Sequence, residues 1–166
     1  MKSSEINFEL SLSYSDLCSY LLQKYGPVPG NYFTNETCST VNTSIKRSNE
    51  GLEIHHLCES LDSAYNLSSP VEARQHTFDY QLSKNLCYCN LLEHLILHIK
   101  INLNRASTLQ GIIIDGAFVI SQRLDELYEV CRTLSDRDRA LLEPITNNYS
   151  DYINLTNTWL RELKQL

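Results

Sequence analysis

Four of the five histidines in this 166-residue chain have the types and spacing that can bind and use a divalent metal ion. His55 and His56 are adjacent, and His98 follows His94 by four residues. Residues four apart in a helix lie one turn above each other, so the rings of His94 and His98 can converge on one ion. The alternative for this pair is two core histidines bonded to backbone or carboxylates, but the second histidine pair favours the metal.

His55 and His56 are expected to have different roles, because adjacent residues of a strand point to opposite faces. His55 can join His94 and His98 as the third metal ligand. His56 then remains free as a general base, since an imidazole titrates near neutral pH. Asn85 has no titrating group, and we expect its amide to bridge the backbone of the intervening loop and so hold His56 in place.

A short β-rich segment is predicted around these two adjacent histidines. Residues 43–47 and 52–57 have the composition of two strands, joined by a turn that contains glycine. The histidines would lie near the end of the second strand. Residues 85–89 predict one more short strand further along the chain.

The other two histidines lie in a predicted helix. Asn90 is a suitable N-cap, and residues 91–102 are apolar on nearly every face, which is typical of a helix inside a domain. A buried imidazole loses the hydrogen bonds that water would supply, so each histidine of this helix requires a specific partner.

Further helices are predicted on both sides of this core. One begins in the Ser/Asp cluster at 13–16 and ends at Gly26-Pro27. The others are predicted within 112–131, from Ser135 to Pro144, and from Tyr149 to the end of the chain. The C-terminal helices can cap the core, form a dimer seam or bind another protein.

The sequence therefore predicts an α+β protein in three parts. These are an N-terminal helix and connector (1–42), a core of strands and the histidine-bearing helix (43–104), and a helical C-terminal segment (105–166).

Composition narrows the classes of function. No stretch approaches the roughly eighteen apolar residues of a membrane span, and the first residues lack the apolar core of a signal peptide, so we expect a cytoplasmic protein without a membrane partner. Six cysteines without a CxxC pair argue against a zinc ribbon. The net charge of −6 is unusual for a protein that binds DNA phosphates, because such proteins usually carry an excess of Lys and Arg.

The order of the candidate residues resembles that of the ββα-metal, or His-Me finger, nucleases of the HNH type. It is similar to the colicin-type bacteriocin DNases, in which Glu-x-His-His is followed by Asn, eight residues, His, three residues and His. The matching residues here are Glu53, His55, His56, Asn85, His94 and His98. The surrounding sequence, within residues 43–103, also resembles HNH proteins of Gram-positive bacteria and their phages.

This resemblance implies an endonuclease that hydrolyses phosphodiester bonds in DNA. It implies that His55, His94 and His98 bind one divalent ion, either Mg²⁺, Mn²⁺, Ni²⁺ or Zn²⁺, and that His56 is the general base. A ββα-metal core, made of a hairpin and a helix, is the fold that it implies for the central segment.

The resemblance also implies that Asn85 steadies the loop and that Glu53 orients an arginine. The bacteriocin enzymes carry a phosphate-binding arginine four residues before that glutamate. This chain has Asn49 there and Arg47 two residues further back. The loop of residues 57–84, longer than in the bacteriocins, is a candidate for target recognition or a disordered insertion.

Two further hypotheses stay open. The acidic charge and the displaced arginine favour a binding protein on a nuclease scaffold, such as a phage-encoded inhibitor or decoy, with a protein partner or homodimer contact through residues 105–166. A metal site that only stabilises the fold would require a fourth protein ligand in place of exchangeable water.

Overall fold

The computed structural model describes residues 1–61, 66–108, 116–129 and 133–165, which form seven α-helices and one pair of antiparallel strands. The helices are α1 (Ser3–Ser11), α2 (Tyr14–Tyr25), α3 (Pro70–Ala73), α4 (Leu91–Thr108), α5 (Gly116–Tyr128), α6 (Asp136–Leu142) and α7 (Tyr149–Leu163). The strands are β1 (Glu53–His56) and β2 (Leu86–Cys89). This mixture agrees with the predicted α+β class. No helix in these ranges is both long and apolar enough to cross a membrane.

The sheet uses a different strand pairing from the predicted hairpin. β1 pairs with β2, which places His55 opposite Cys87. The predicted strand at 43–47 is wrong, because Thr43–Ile45 forms a 3₁₀ turn in which Asn42 Oδ1 accepts a hydrogen bond from the backbone of Ser44 at 3.2 Å. Asn and Ser side chains that bond nearby backbone in this way favour turns over strand ladders.

The long helix α4 begins where the sequence predicted. Asn90 Oδ1 accepts hydrogen bonds from the backbone N–H of Leu92 (2.9 Å) and Glu93 (3.0 Å), and Glu93 Oε2 accepts one from Asn90 N–H (2.7 Å). This reciprocal capping box satisfies the free donors of the first turn. The helix continues to Thr108, past the predicted segment boundary at 104, and α1, α2, α5 and α7 pack against it.

The N-terminal helix α2 agrees with the prediction at both ends. Ser13 Oγ accepts a hydrogen bond from Asp16 N–H at 3.1 Å, and Gly26 ends the helix with φ +80°, a conformation that side-chain-bearing residues rarely adopt. The helix packs against β2 and α4. Helix α1, which precedes it, was not predicted.

The C-terminal helices α5 and α7 pack against α4, and a dimer seam or partner contact through residues 105–166 stays a prediction. Trp159 of α7 donates a buried hydrogen bond from Nε1 to Asn102 Oδ1 at 2.9 Å. Helix α6, capped by Ser135 as predicted, packs against the turn Ser48–Glu50 just before β1. The predicted interruption near Asp115-Gly116 falls at the edge of residues 109–115, outside the described ranges.

Candidate metal centre

Three histidines from β1 and α4 converge on one point. The ring centroids lie 5.3 Å apart for His55 and His94, 5.0 Å for His55 and His98, and 4.9 Å for His94 and His98. One nitrogen of each ring lies within 4.8 Å of the other two. The structure therefore brings together the three predicted ligands, and this group could hold a metal ion.

The His55 ring has one nitrogen that points at this cluster without a partner. Tyr14 Oη donates its proton to the carbonyl of Leu57 at 3.0 Å, so it accepts a hydrogen bond from His55 Nε2 at 2.9 Å. That assignment leaves the lone pair on Nδ1, which is buried and has no hydrogen-bond partner among the described residues. Burial and the charge of His98 hold the pKa of His55 well below its usual value, so the ring is neutral, as a ligand must be.

His94 is oriented by a carboxylate. Its Nδ1 lies 2.9 Å from Glu53 Oε2, which leaves Nε2 for an ion. Burial alone would raise the pKa of Glu53, but the hydrogen bond from His94 and the charges of His94, Arg137 and Arg123 lower it. Histidine ligands commonly donate their second nitrogen to a carboxylate that fixes the ring, and Glu53 has that position here.

Glu59, four residues after His55, also points into the cluster. Its Oε2 lies 3.3 Å from His98 Nε2 and 3.8 Å from His55 Nδ1. The residue is buried. Burial alone would raise the pKa of this carboxyl, but the neighbouring His98 and His55 imidazoles lower it, so the carboxylate is ionised.

His56 lies on the opposite face of the sheet, as strand alternation predicts. Its Nε2 lies 2.9 Å from Gln81 Oε1, and Gln81 Nε2 donates to the carbonyl of Leu67 at 3.3 Å, which fixes the amide orientation. His56 therefore donates from Nε2 and keeps its lone pair on Nδ1. The ring packs against Tyr32, with centroids 4.5 Å apart, and burial lowers its pKa.

Asn85 bridges the loop before β2, as the sequence analysis expects. Its Nδ2 donates to the carbonyl of Asp79 at 2.7 Å. Asp79 belongs to the 3₁₀ turn Phe78–Gln81, which also carries the Gln81 side chain bonded to His56. The amide of Asn85 thus stabilises the turn whose Gln81 side chain orients His56.

Arg47 is not brought to the histidine cluster. Its guanidinium stacks on the Tyr88 ring at 4.9 Å and pairs with Glu50, whose Oε1 lies 2.8 Å from Nε. Tyr88 is opposite Ile54 in the strand pair, so this ring lies on the face of the sheet away from His55. Glu53 is paired with His94 instead of with this arginine.

No protein-family model matches the chain, and comparisons with curated proteins and with solved structures found no significant match. The geometry of the site is therefore the basis for a functional proposal.

Three residues of the site were missed by sequence reasoning. Glu59 had a usable signal, since an acidic residue four positions after a candidate ligand can return to the same point across one turn. Tyr14 and Gln81 had no such signal in the sequence. They come from distant segments, and only the folded chain places them against His55 and His56.

A second cluster of metal-ligand type lies on another side of α4. The carboxylates of Glu5, Glu9 and Glu93 have oxygens within 4.8 Å of one another. Lys24 Nζ lies between them, 2.5 Å from Glu5 Oε1, 2.5 Å from Glu93 Oε1 and 3.5 Å from Glu9 Oε1. This cluster already contains a cation.

Proposed function

We propose that the protein is a metal-dependent endonuclease of the HNH type that hydrolyses phosphodiester bonds in DNA. The observation that carries the proposal is the convergence of His55, His94 and His98, where the buried lone pair of His55 Nδ1 has no hydrogen-bond partner in the described part of the chain. The order β1, loop, Asn85, β2 and histidine-bearing α4 is a second support for the proposal.

In this proposal the three histidines hold the ion and His56 acts on the attacking water. A divalent ion bound by the three histidines would stabilise the charge that develops on the scissile phosphate and its leaving oxygen. His56, kept neutral by burial, is the candidate base that removes a proton from the attacking water through Nδ1. Asn85 and Gln81 hold that ring in one orientation.

Substrate would approach the site from the side of Glu53 and His94, whose side chains are 28% and 14% exposed. Besides His94, the positively charged side chains that lower the pKa of Glu53 are those of Arg137 and Arg123. Arg137 is exposed and follows the cap of α6, which packs beside the turn leading into β1. In this proposal Arg137 supplies phosphate contact in place of Arg47, which is engaged by Glu50 and the Tyr88 ring.

A cleavage assay tests the proposal. Purified protein is incubated with supercoiled plasmid and with single-stranded DNA in Mg²⁺, Mn²⁺, Ni²⁺ or Zn²⁺. We expect the wild type to nick or cut DNA with at least one ion. We expect His98→Ala to lose metal binding and cleavage together, and His56→Ala to retain metal binding and lose cleavage.

The matched control is His76→Ala, since His76 pairs with Glu72 outside the cluster. This variant should cleave like the wild type. Metal uptake by the wild type without cleavage of any nucleic acid would contradict the proposal.

A second candidate function is a metal site that stabilises the fold of a binding protein. Glu59 favours it, because a fourth protein ligand closes a tetrahedral site to water. The cleavage assay separates the two candidates, since this one predicts metal binding without hydrolysis.

A further inference from the structure

We propose that Glu59 is a fourth protein ligand of the ion, so that the chain supplies three imidazole nitrogens and one carboxylate oxygen. This inference rests on the metal site of the proposed function. It adds a ligand that neither the spacing of the histidines nor the resemblance to colicin-type DNases assigns.

The distances are those of neighbouring ligands. Two ligand atoms about 2.1 Å from one ion lie roughly 3.0 Å apart at a right angle and roughly 3.4 Å apart at a tetrahedral angle. Glu59 Oε2 lies 3.3 Å from His98 Nε2 and 3.8 Å from His55 Nδ1. Both rings belong to the converging trio, so an ion bound by the trio would lie next to Glu59 Oε2.

The carboxylate is held in this orientation from behind. Its other oxygen, Oε1, accepts a hydrogen bond from the backbone N–H of Leu67 at 2.7 Å. The carbonyl of Glu59 accepts one from Arg105 Nη2 at 2.6 Å. These contacts fix both the backbone and one side of the carboxylate, and they leave Oε2 directed at the histidines.

The burial of Glu59 points to the same assignment. A buried carboxyl group requires hydrogen bonds or a cation to offset the loss of its hydration. Glu59 is 6% exposed, and the groups around Oε2 are the rings of His55 and His98. A divalent ion at the centre would neutralise Glu59. The same ion would be bound by His55 Nδ1, which has no hydrogen-bond partner among the described residues.

A fourth ligand changes what the site can bind. A tetrahedral ion would have no open position, whereas a six-coordinate ion would keep two positions for water or a phosphate oxygen. A carboxylate oxygen also improves the match to harder ions such as Mn²⁺ compared with three imidazoles alone.

Metal titration tests the assignment without using enzymatic activity. Metal-free wild type, Glu59→Gln and the control Glu72→Gln are titrated with Co²⁺ and with Mn²⁺, and the Kd and the visible Co²⁺ spectrum are recorded. We expect Glu59→Gln to weaken Mn²⁺ binding at least tenfold and to shift the Co²⁺ absorption bands. Glu72→Gln should match the wild type, because Glu72 lies beside His76 outside the cluster.

An unchanged Kd and an unchanged Co²⁺ spectrum in Glu59→Gln would overturn the fourth ligand and leave the three-histidine site standing. Absence of binding by the wild type would overturn the metal site and the fourth ligand together. If Glu59→Gln fails to fold by circular dichroism, Glu59→Asp replaces it. A shortened carboxylate should also shift the spectrum if it is a ligand, and an unchanged spectrum would again overturn the assignment.

Discussion

Glu93 and His94 are neighbours on α4, yet they belong to two buried polar clusters of opposite character. Glu93 shares Lys24 with Glu5 and Glu9, so a cation of the protein lies inside that cluster. His94 belongs to the histidine cluster, where Nδ1 of His55 is buried without a partner among the described residues.

The comparison separates a cluster that holds a cation of the protein from one that holds none, although each has one buried atom, Glu9 Oε2 or His55 Nδ1, without a hydrogen-bond partner among the described residues. Burial alone would lower the pKa of Lys24, but the charges of Glu93 and Glu5 outweigh it and raise that pKa, so the ammonium is permanent. Burial and the charge of Glu93 raise the pKa of Glu9 to about 8, so one carboxyl keeps its proton near neutral pH. The histidine cluster has neutral His55 and ionised Glu59, a donor set that an added cation would complete.

The largest expected effect comes from removing the internal cation. Lys24→Met leaves Glu93 and Glu5 buried or half-buried without their positive charge, and breaking such an arrangement typically destabilises by about 3–5 kcal/mol. Urea unfolding measures the free energy difference. Lys164→Met, which removes an exposed lysine, is the charge-matched control and should change stability little. Equal stability of the two variants would mean that Lys24 does not hold its cluster together.

The reverse experiment adds a divalent cation to the histidine cluster. An ion at a hundredfold excess over its Kd adds about 2.7 kcal/mol to the free energy of unfolding, which is a rise in Tm of roughly 5–10 °C for a chain of this size. We expect this rise in the wild type and in Glu9→Gln, and its loss in His94→Ala. A rise that persists in His94→Ala would place the ion elsewhere.

Glu9 is expected to make a separable contribution to the pH dependence of stability. Its folded-state pKa of about 8 lies above the unfolded value near 4.5, so the folded state binds the extra proton between these values. Stability therefore falls as pH rises through this window, by up to about 1.4 kcal/mol per pH unit. Glu9→Gln mimics the protonated acid, so its stability should match the wild type near pH 5 and exceed it at pH 9. If the Tm of the two proteins changed equally between pH 5 and pH 9, the raised pKa of Glu9 would be contradicted.

The smallest expected effect is on the orientation of a ligand. Tyr14→Phe removes the oxygen that accepts from His55 Nε2, so the ring loses the contact that selects its tautomer. Loss of such a contact typically weakens metal binding about 10–100-fold. Calorimetric titration with Zn²⁺ measures it, and Tyr20→Phe, which removes a hydroxyl bonded to Glu5 at 3.3 Å, is the control. Equal affinities in the two variants would show that Tyr14 does not select the tautomer.

Sequence reasoning predicted the structural features that short-range sequence patterns determine. Asn90 and the apolar run after it predicted the start of α4, and the four-residue spacing placed His94 and His98 on one face. Strand alternation correctly separated His55 from His56. These features depend on neighbours in the chain.

The features that the sequence did not predict depend on contacts between distant segments of the chain. The predicted hairpin at 43–57 failed because Asn42 and Ser44 form a turn, and the partner of β1 lies thirty residues further on. Pairing of Glu53 with His94, instead of with an arginine, follows from that tertiary arrangement. The Lys24 cluster joins α1, α2 and α4, and no local pattern indicates it.

X-ray absorption at the metal edge of Zn²⁺-loaded protein tests the central claim most directly, because it counts the ligands and identifies imidazole rings by their outer-shell scattering. The account predicts one ion per chain with three imidazoles about 2.0–2.1 Å from it, and no bound ion in His98→Ala. A wild-type ion with one imidazole or none, or a chain that binds no ion, would contradict it.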